Sequence, residues 1–363
     1  MKGSVSLGKI AGIRIKVHWT FLLIFVWVVF VEMRQGGNLS SILFNAAFIL
    51  VLFACVVLHE LGHALMARRF GVVTRKITLL PIGGVASLQK IPEEPYQEFL
   101  VALAGPLVNV VIALLLLFFV PIGNFTGLSQ VEQLETLREL SLQNFLLYLF
   151  LANTILVVFN LIPAFPMDGG RVLRAVLAMY TDRVKATSIA ATIGQVIAFI
   201  FLFLGLTMNI FLIFIALFVF VGAYGENKMV QHEALLKGHK VQEAMLTDIH
   251  FLEPEDSMEK VVSLILSGTE KDFVVRSEDK PIGVLSHERI LEHAREPGSK
   301  VRDHMETHIK TLNHLAPLQD VLRLVESGKT HFYPVTDKEG RLLGAIDLAN
   351  LNEFIVLQSH LDF

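Results

Sequence analysis

The sequence has few charged residues and almost no cysteine. Only 18% of its 363 residues are charged, whereas soluble domains average about 25%. A chain this poor in charge, with 53% hydrophobic residues, is neither disordered nor an ordinary soluble enzyme. The single cysteine, Cys55, excludes an internal disulfide framework.

The charges that are present lie mostly in the last third of the chain. Residues 1–225 hold 25 of the 65 charged side chains (25/225, or 11%), and residues 226–363 hold the other 40 (40/138, or 29%). This division predicts a membrane-embedded domain over 1–225, a linker over 226–240 and then a soluble tail. Residues 226–363 carry 16 basic and 24 acidic residues, and this acidity argues against a nucleic-acid partner.

Long apolar runs predict the helices that cross the membrane. The stretch Ile189–Tyr224 would be about 54 Å long as one helix, against about 30 Å of hydrocarbon. It must therefore fold back on itself, near Gly205–Asn209, which gives six predicted spans. The five apolar stretches are Val17–Val31, Ile42–Met66, Phe99–Val120, Leu142–Pro163 and Ile189–Tyr224.

Basic residues between the predicted spans indicate the orientation. With the amino terminus inside, 13 Lys and Arg residues lie on the cytoplasmic side and only Arg34 and Arg138 lie outside. Such a bias marks the cytoplasmic side of a membrane protein. Six spans return the tail to the side of the amino terminus. We therefore expect a multi-pass protein of the cell membrane (plasma or inner membrane), with its amino terminus and its tail in the cytoplasm.

The second predicted span contains an H-E-x-x-H motif formed by His59, Glu60 and His63. Residues four apart on a helix lie on one face, so both imidazoles can reach one metal ion while Glu60 activates a water molecule beside it. Ionisable residues within a membrane span are costly, and their presence indicates a function. The motif therefore predicts a catalytic metal site.

A third ligand for such an ion is found by elimination. No histidine lies between His63 and His232, which is already past the last predicted span. The other acidic residues of the predicted membrane domain are excluded by position: Glu132, Glu135 and Glu139 lie on the opposite side of the membrane, Glu93, Glu94 and Glu98 lie in a polar stretch typical of a solvated loop, and Asp182 lies among basic residues. Asp168 remains, because it directly follows the fourth predicted span on the same side as His63. Zinc(II) with neutral imidazoles and ionised Asp168 and Glu60 gives a site of zero net charge, which suits a low-dielectric cavity.

Two sequence blocks resemble the signatures of the site-2 protease family of intramembrane zinc metalloproteases (peptidase family M50). They are His-Glu-Leu-Gly-His at 59–63 and N-x-x-P-x-x-P-x-D-G-G at 160–170, and the resemblance extends from Lys9 to Tyr224. It implies that the substrate is a transmembrane segment of another membrane protein. Asn160 matches an asparagine that, in this family, helps to steady the carbonyl group of the substrate. The resemblance implies one zinc ion per chain with ligands His59, His63 and Asp168, and catalytic residues Glu60 and Asn160.

The segment Val72–Leu88 carries strand and turn residues between the second and third predicted spans. It predicts a short β-like re-entrant or loop segment. An edge strand there would capture an unwound substrate by strand addition. A plain cytoplasmic loop is the alternative.

The soluble tail contains an internal repeat. Residues 241–297 and 301–355 align, as Val241–Met245 with Val301–Met305 illustrates. Each copy predicts the order strand, helix, strand, strand, helix. The pair resembles a tandem of cystathionine-β-synthase (CBS) domains, an α+β fold. The predicted fold class is thus a polytopic α-helical membrane domain with six transmembrane helices, followed by a tandem CBS domain.

CBS pairs often bind adenine nucleotides such as ATP or AMP, and they often form homodimers. Their usual ribose-binding ending, Ser/Thr-x-x-Asp, is replaced here by Ser286–Arg289 in the first copy and Asp347–Asn350 in the second. We therefore expect nucleotide binding to be weak or absent, with dimerisation or substrate docking as the alternative role.

CBS pairs also occur on transporters and channels. A CBS-regulated transporter or channel is thus the alternative function, although it leaves the H-E-x-x-H motif without a role.

Overall fold

The computed structural model describes residues 3–81, 83–88, 92, 94–120, 140–293, 296, 298–327 and 332–361. The chain divides into two units, Met1–Lys228 and Met229–Phe363. Five helices of the described residues (α2, α3, α4, α6 and α7 below) are long and apolar enough to cross a membrane. The predicted polytopic helical architecture is confirmed to that extent. The described helices that begin in the first unit are α1 (Leu22–Arg34), α2 (Leu39–Arg69), α3 (Pro95–Leu117), α4 (Leu142–Asn160), α5 (Asp168–Ala178), α6 (Arg183–Thr207) and α7 (Phe211–Leu235). The last of them ends within the second unit.

The first predicted span, Val17–Val31, is not a continuous helix. Val17 belongs to strand β2 (Ile13–His18), and a 3-10 turn at Trp19–Phe21 separates this strand from α1. Helix α1 has 13 residues and is about 20 Å long, which is shorter than the hydrocarbon layer. A sixth helix of spanning length is therefore not confirmed among the described residues. The predicted span starts too early because Val17 is apolar but belongs to a strand, and hydropathy alone does not distinguish the two.

The predicted fold-back of the last apolar stretch is confirmed. Helix α6 ends at Thr207 and α7 begins at Phe211. Gly205 permits the close return, because a Cβ atom there would lie 2.6 Å from Cγ1 of Ile213. Ala198 and Val219 belong to one buried cluster between the two helices.

A four-stranded sheet packs on the second half of α2. Its strands β1 (Ser4–Ile10), β2, β3 (Thr74–Leu80) and β4 (Gly83–Leu88) lie side by side in chain order; β2 and β3 are parallel, whereas the other two pairs are antiparallel. The strand prediction for this segment is confirmed and the plain loop is wrong, whereas a re-entrant position in the membrane is not confirmed. Among the described residues β4 is an edge strand. Alternate residues of β2 and β3 pack against one face of α2, in a cluster of Ile13, Ile15, Val57, Leu61, Ala64, Ile77 and Leu79.

The second unit has the predicted repeated element order. It contains two sheets of three strands each. In each sheet a short strand pairs in parallel with the first strand of an antiparallel hairpin. The first copy contains β5 (Phe251–Leu252), α8 (Met258–Ser267), β6 (Phe273–Ser277), β7 (Lys280–Leu285) and α9 (His287–His293). The second copy contains α10 (Val301–His304), β8 (Leu312–Asn313), α11 (Leu318–Ser327), β9 (Phe332–Thr336), β10 (Leu342–Asp347) and α12 (Leu348–Leu361).

Candidate metal centre

Three buried side chains meet beside the sheet-covered half of α2. The Nε2 atoms of His59 and His63 lie 3.1 Å apart, and Oδ2 of Asp168 lies 3.3 Å and 3.2 Å from them respectively. The three residues are between 6% and 8% exposed. The structure thus brings together the three side chains that the sequence singles out as metal ligands.

Helix α2 packs on the sheet with one face and on α3 with another. Val57 and Leu61 face the sheet, whereas His59 and His63 face α3, as the 3.6-residue helical period requires. Helix α3 approaches closely because Gly105 has no side chain, and a Cβ atom there would collide with the imidazole of His63. Gly105 of α3 therefore makes room for the site.

Asp168 is the first residue of α5 and follows a tightly folded loop. A Cβ atom on Gly169 would collide with the carbonyl groups of Leu161 and Ile162, so only glycine permits this path. Burial raises the pKa of the Asp168 carboxyl, but the neighbouring imidazoles of His59 and His63 lower it more, and the net pKa lies below the usual range. Asp168 is therefore an anionic ligand at neutral pH.

Backbone and amide groups fix which nitrogen of each imidazole carries the proton. Nδ1 of His63 lies 2.7 Å from the carbonyl oxygen of Val101, which only accepts, so Nδ1 donates and Nε2 keeps its lone pair. Nδ1 of His59 lies 2.5 Å from Oδ1 of Asn109. Both Nε2 lone pairs are thus free to bind a cation.

The orientation of Asn109 is itself fixed by a chain of hydrogen bonds. Nδ2 of Asn153 donates to the carbonyl of Leu149 at 2.8 Å, so its Oδ1 must accept the 2.8 Å bond from Nδ2 of Asn109. Oδ1 of Asn109 then faces His59, which must donate. Sequence reasoning missed both asparagines, although their polarity inside apolar helices was a usable signal.

The donor set fits a zinc ion. A tetrahedral ion with bonds of about 2.0–2.1 Å separates its ligand atoms by about 3.3 Å, close to the spacing of the three donor atoms here. Two imidazoles and one carboxylate leave a fourth position for water or substrate, as catalytic zinc sites require. The supporting bonds from Asn109 and Val101 are typical of zinc-binding histidines.

Glu60 lies next to the metal ligands and faces the edge strand β4. It is half-buried, and a Cβ atom on Gly84 would lie 2.7 Å from its Cγ and 3.2 Å from its Oε1. Gly84 therefore provides the space for this carboxylate. The edge of the sheet and the side chain predicted as the general base thus lie in direct contact.

Asn160 ends helix α4, eight positions before Asp168. It is half-buried, and its side chain forms no hydrogen bond with the residues that the structure describes. The structure does not bring it into the cluster of the three metal-binding side chains.

Glu98 is not in a solvated loop, and that step of the sequence analysis is wrong. It lies in α3, is 2% exposed, and pairs with the fully buried guanidinium of Arg174 in α5, whose Nη1 lies 2.5 Å from Oε1 of Glu226 in α7. Arg183 also approaches Glu98, at 3.5 Å. These ion pairs connect the helix that begins with Asp168 to two spanning helices. Arg174, one of the 13 basic residues counted on the cytoplasmic side, is therefore buried in an ion pair.

An H-E-x-x-H helix whose imidazoles meet a later carboxylate among membrane-spanning helices defines a membrane metalloprotease. Sequence comparison agrees: residues 47–127 and 121–204 match Peptidase family M50, and residues 241–296 and 301–357 match the CBS domain. The chain is 37% identical over 338 residues to a zinc metalloprotease of Methanocaldococcus jannaschii, covering 91% of this chain and 93% of the relative. The chain belongs to peptidase family M50, the site-2 protease family, and carries two CBS domains.

Two solved structures show similarity to separate parts of the chain. The site-2 protease from Methanocaldococcus jannaschii is 41% identical, with a TM-score of 0.44, and the match covers 62% of this chain and 95% of that one. The CBS-pair protein CBSX2 of Arabidopsis thaliana, solved in complex with AMP, is 22% identical with a TM-score of 0.31. That match covers 34% of this chain and 99% of the other.

Proposed function

We propose that this metalloprotease is an intramembrane endopeptidase that cuts transmembrane segments of other membrane proteins. The observation that carries the proposal is that His59 and His63, in a helix of spanning length, meet Asp168 at the start of the short helix α5, with Glu60 beside them. A water-soluble substrate would not need a site enclosed by such helices. Membership of a peptidase family decides against the alternative of a transporter or channel.

In this proposal each residue has a defined task. His59, His63 and Asp168 hold the zinc ion, which when bound polarises the scissile carbonyl and makes water more acidic. Glu60 takes a proton from the attacking water and delivers it to the leaving amine nitrogen. Asn160, whose amide has no partner among the described residues, donates to the substrate carbonyl oxygen as negative charge develops there.

The edge strand β4 is proposed to hold the substrate. A helix protects its peptide bonds in its own hydrogen bonds, so a transmembrane segment must unwind before it is cut. An unwound segment could pair by strand addition with the outer edge of β4, which has no further strand beside it among the described residues. Gly84 of β4 touches Glu60, which would place the captured backbone next to the catalytic base.

We further propose that both chain ends lie in the cytoplasm and that the protein resides in the cell membrane. Support comes from the parallel pairing of β2 with β3, because the chain leaves the sheet through α1 and returns to it through α2. The two strands are thus on the same side of the bilayer whatever the depth of α1. Four helices of spanning length follow among the described residues, α3, α4, α6 and α7, and four crossings would return the chain to that side.

The CBS pair is proposed to regulate access of the substrate through homodimerisation or through docking of the substrate's own soluble domain. We expect weak or no binding of ATP and AMP, because the altered ribose-binding endings have structural partners. Asp347 accepts a 2.6 Å hydrogen bond from the backbone of Asn350, and the Asn350 amide donates to the carbonyl of Ala244. Calorimetry of the whole protein with each nucleotide tests this, and micromolar binding would contradict it.

The test of the main proposal uses the purified protein with two classes of substrate. A peptide that spans a detergent micelle should be cut, whereas an unfolded water-soluble protein should not. The Glu60→Gln variant should cut neither. Cleavage of the soluble protein alone would keep the metalloprotease but reject the intramembrane substrate.

A further inference from the structure

A second group of metal-binding side chains lies in the tail unit. His293 ends α9, Glu296 follows it, and His304 ends α10; their donor atoms lie within 4.8 Å of one another. Nδ1 of His293 lies 2.8 Å from Oε1 of Glu296, and the two imidazole rings stack with centroids 4.0 Å apart. Helix α9 closes the first CBS copy and α10 opens the second. The cluster therefore lies at the junction of the repeats.

The buried histidine of this group has an unsatisfied nitrogen. His304 is 9% exposed, and its Nε2 forms no hydrogen bond with the described residues. Oε2 of Glu296 lies 3.4 Å away without completing such a bond. Burying a polar atom without a partner costs free energy, so a ligand bound to this nitrogen would be stabilising.

We propose that His293, Glu296 and His304 bind a divalent transition-metal ion, with zinc as the physiological candidate. Two imidazoles and a carboxylate are typical ligands of zinc, cobalt and nickel, whereas magnesium and calcium prefer oxygen donors alone. The two oxygens of Glu296 already face one imidazole each. An ion among the three groups would replace these contacts and satisfy the free nitrogen of His304.

The ion would link the two CBS copies. Its ligands come from the last helix of the first copy, the segment after it and the first helix of the second copy. Binding would hold the end of α9 against α10, so the rigidity of the CBS pair would depend on the concentration of free metal. All three ligands belong to the tail unit, so this site goes beyond the proposed proteolytic site and needs none of its residues.

The test counts cobalt ions on the full chain in detergent, because bound cobalt absorbs visible light. We expect two ions on the wild type, one on His293→Ala and one on His59→Ala. The double variant His59→Ala/His293→Ala should bind none. The control His308→Ala changes an exposed histidine of the same unit and should still bind two.

An equal count for wild type and His293→Ala would overturn the proposal, since the cluster would then be only an ion pair of histidine and glutamate. The side chain of His293 is 30% exposed, so its removal disturbs the fold less than removal of His304. Failure of the membrane site would instead appear as an unchanged count for His59→Ala. The two failures are therefore distinguishable.

A second measurement does not depend on counting. Zinc should slow amide hydrogen exchange in α9 and α10 of the His59→Ala variant, and it should have no such effect once His293→Ala is added. Unchanged exchange in the single variant would also overturn the proposal.

Discussion

The Nδ1 nitrogen of His59 in α2 donates a hydrogen bond of 2.5 Å to the amide oxygen of Asn109 in α3. This bond selects the imidazole tautomer whose Nε2 faces His63 and Asp168. The helix–helix contact therefore determines the chemistry of the site, because a shift of α3 would change the direction of the His59 lone pair.

Replacing Asn109 should weaken zinc binding without removing a ligand. We expect Asn109→Leu to lower zinc affinity by about 10- to 100-fold, as loss of a supporting bond to a metal ligand commonly does. Competition with a chromophoric chelator measures the change. Asn45→Leu is the matched control, because Asn45 is likewise an asparagine within a helix of spanning length, here α2, but its side chain donates to Glu32 and not to a metal ligand. Equal losses for both variants would show that the effect is structural rather than specific to the site.

Glu60→Gln should separate metal binding from catalysis. The amide keeps the shape of the side chain but accepts no proton, so cleavage should fall by about 10²- to 10⁴-fold while one zinc ion remains in the membrane unit. Cleavage of a membrane-spanning peptide and metal analysis of the same sample provide the two readings. Near-normal cleavage would reject Glu60 as the base. His59→Ala, His63→Ala and Asp168→Ala should lose the metal as well as the activity.

Gly84→Ala should displace the carboxylate of Glu60. The added methyl group would lie 2.7 Å from Cγ of Glu60, closer than two carbon atoms can approach, so the glutamate must move. We expect zinc content to be unchanged and kcat to fall. Gly225→Ala is the control, because a Cβ atom there meets nothing within 4 Å. Wild-type kcat in Gly84→Ala would show that β4 does not constrain the base.

Arg174→Met should destabilise the membrane unit by about 3–5 kcal/mol, because it leaves the buried carboxylate of Glu98 without its main partner. Thermal unfolding in detergent measures the loss. The additional change Glu98→Leu should recover part of it. Lys185→Met is the control: Lys185 also forms an ion pair, with Asp182, but its side chain is 77% exposed and its loss should change stability by less than about 1 kcal/mol.

Cysteine labelling should establish the orientation in the membrane. In a Cys55→Ser background, a cysteine at Gln35 should react with an impermeant reagent from outside the cell. A cysteine at Ser267, which is exposed in the tail unit, should react only after the membrane is opened. Labelling of intact cells at position 267 would invert the proposed topology.

The sequence predicted the elements whose signals are local. His59 and His63 lie four residues apart on one helix, and Asp168 was selected by elimination because it follows the end of a predicted span on the same side as His63. The return of the chain between α6 and α7 followed from length alone. These features depend on helix geometry rather than on which helices are neighbours.

The interactions between distant helices could not be predicted in the same way. Glu98 and Arg174 are 76 positions apart, and a charged residue beside a polar stretch looks the same whether it faces water or a buried guanidinium. Asn109 likewise gains its role only from the packing of α3 on α2. The start of the first predicted span failed for a related reason, since hydropathy does not distinguish an apolar strand from a helix.

The parallel pairing of β2 with β3 has a consequence for biosynthesis. Arg14 pairs with Lys76, so β2 leaves the ribosome long before its partner and waits while α1 and α2 enter the bilayer. Only after that insertion can β3 complete the sheet and β4 take its place beside Glu60. A nascent chain that ends before β4 therefore lacks the edge on which we propose that a substrate is held.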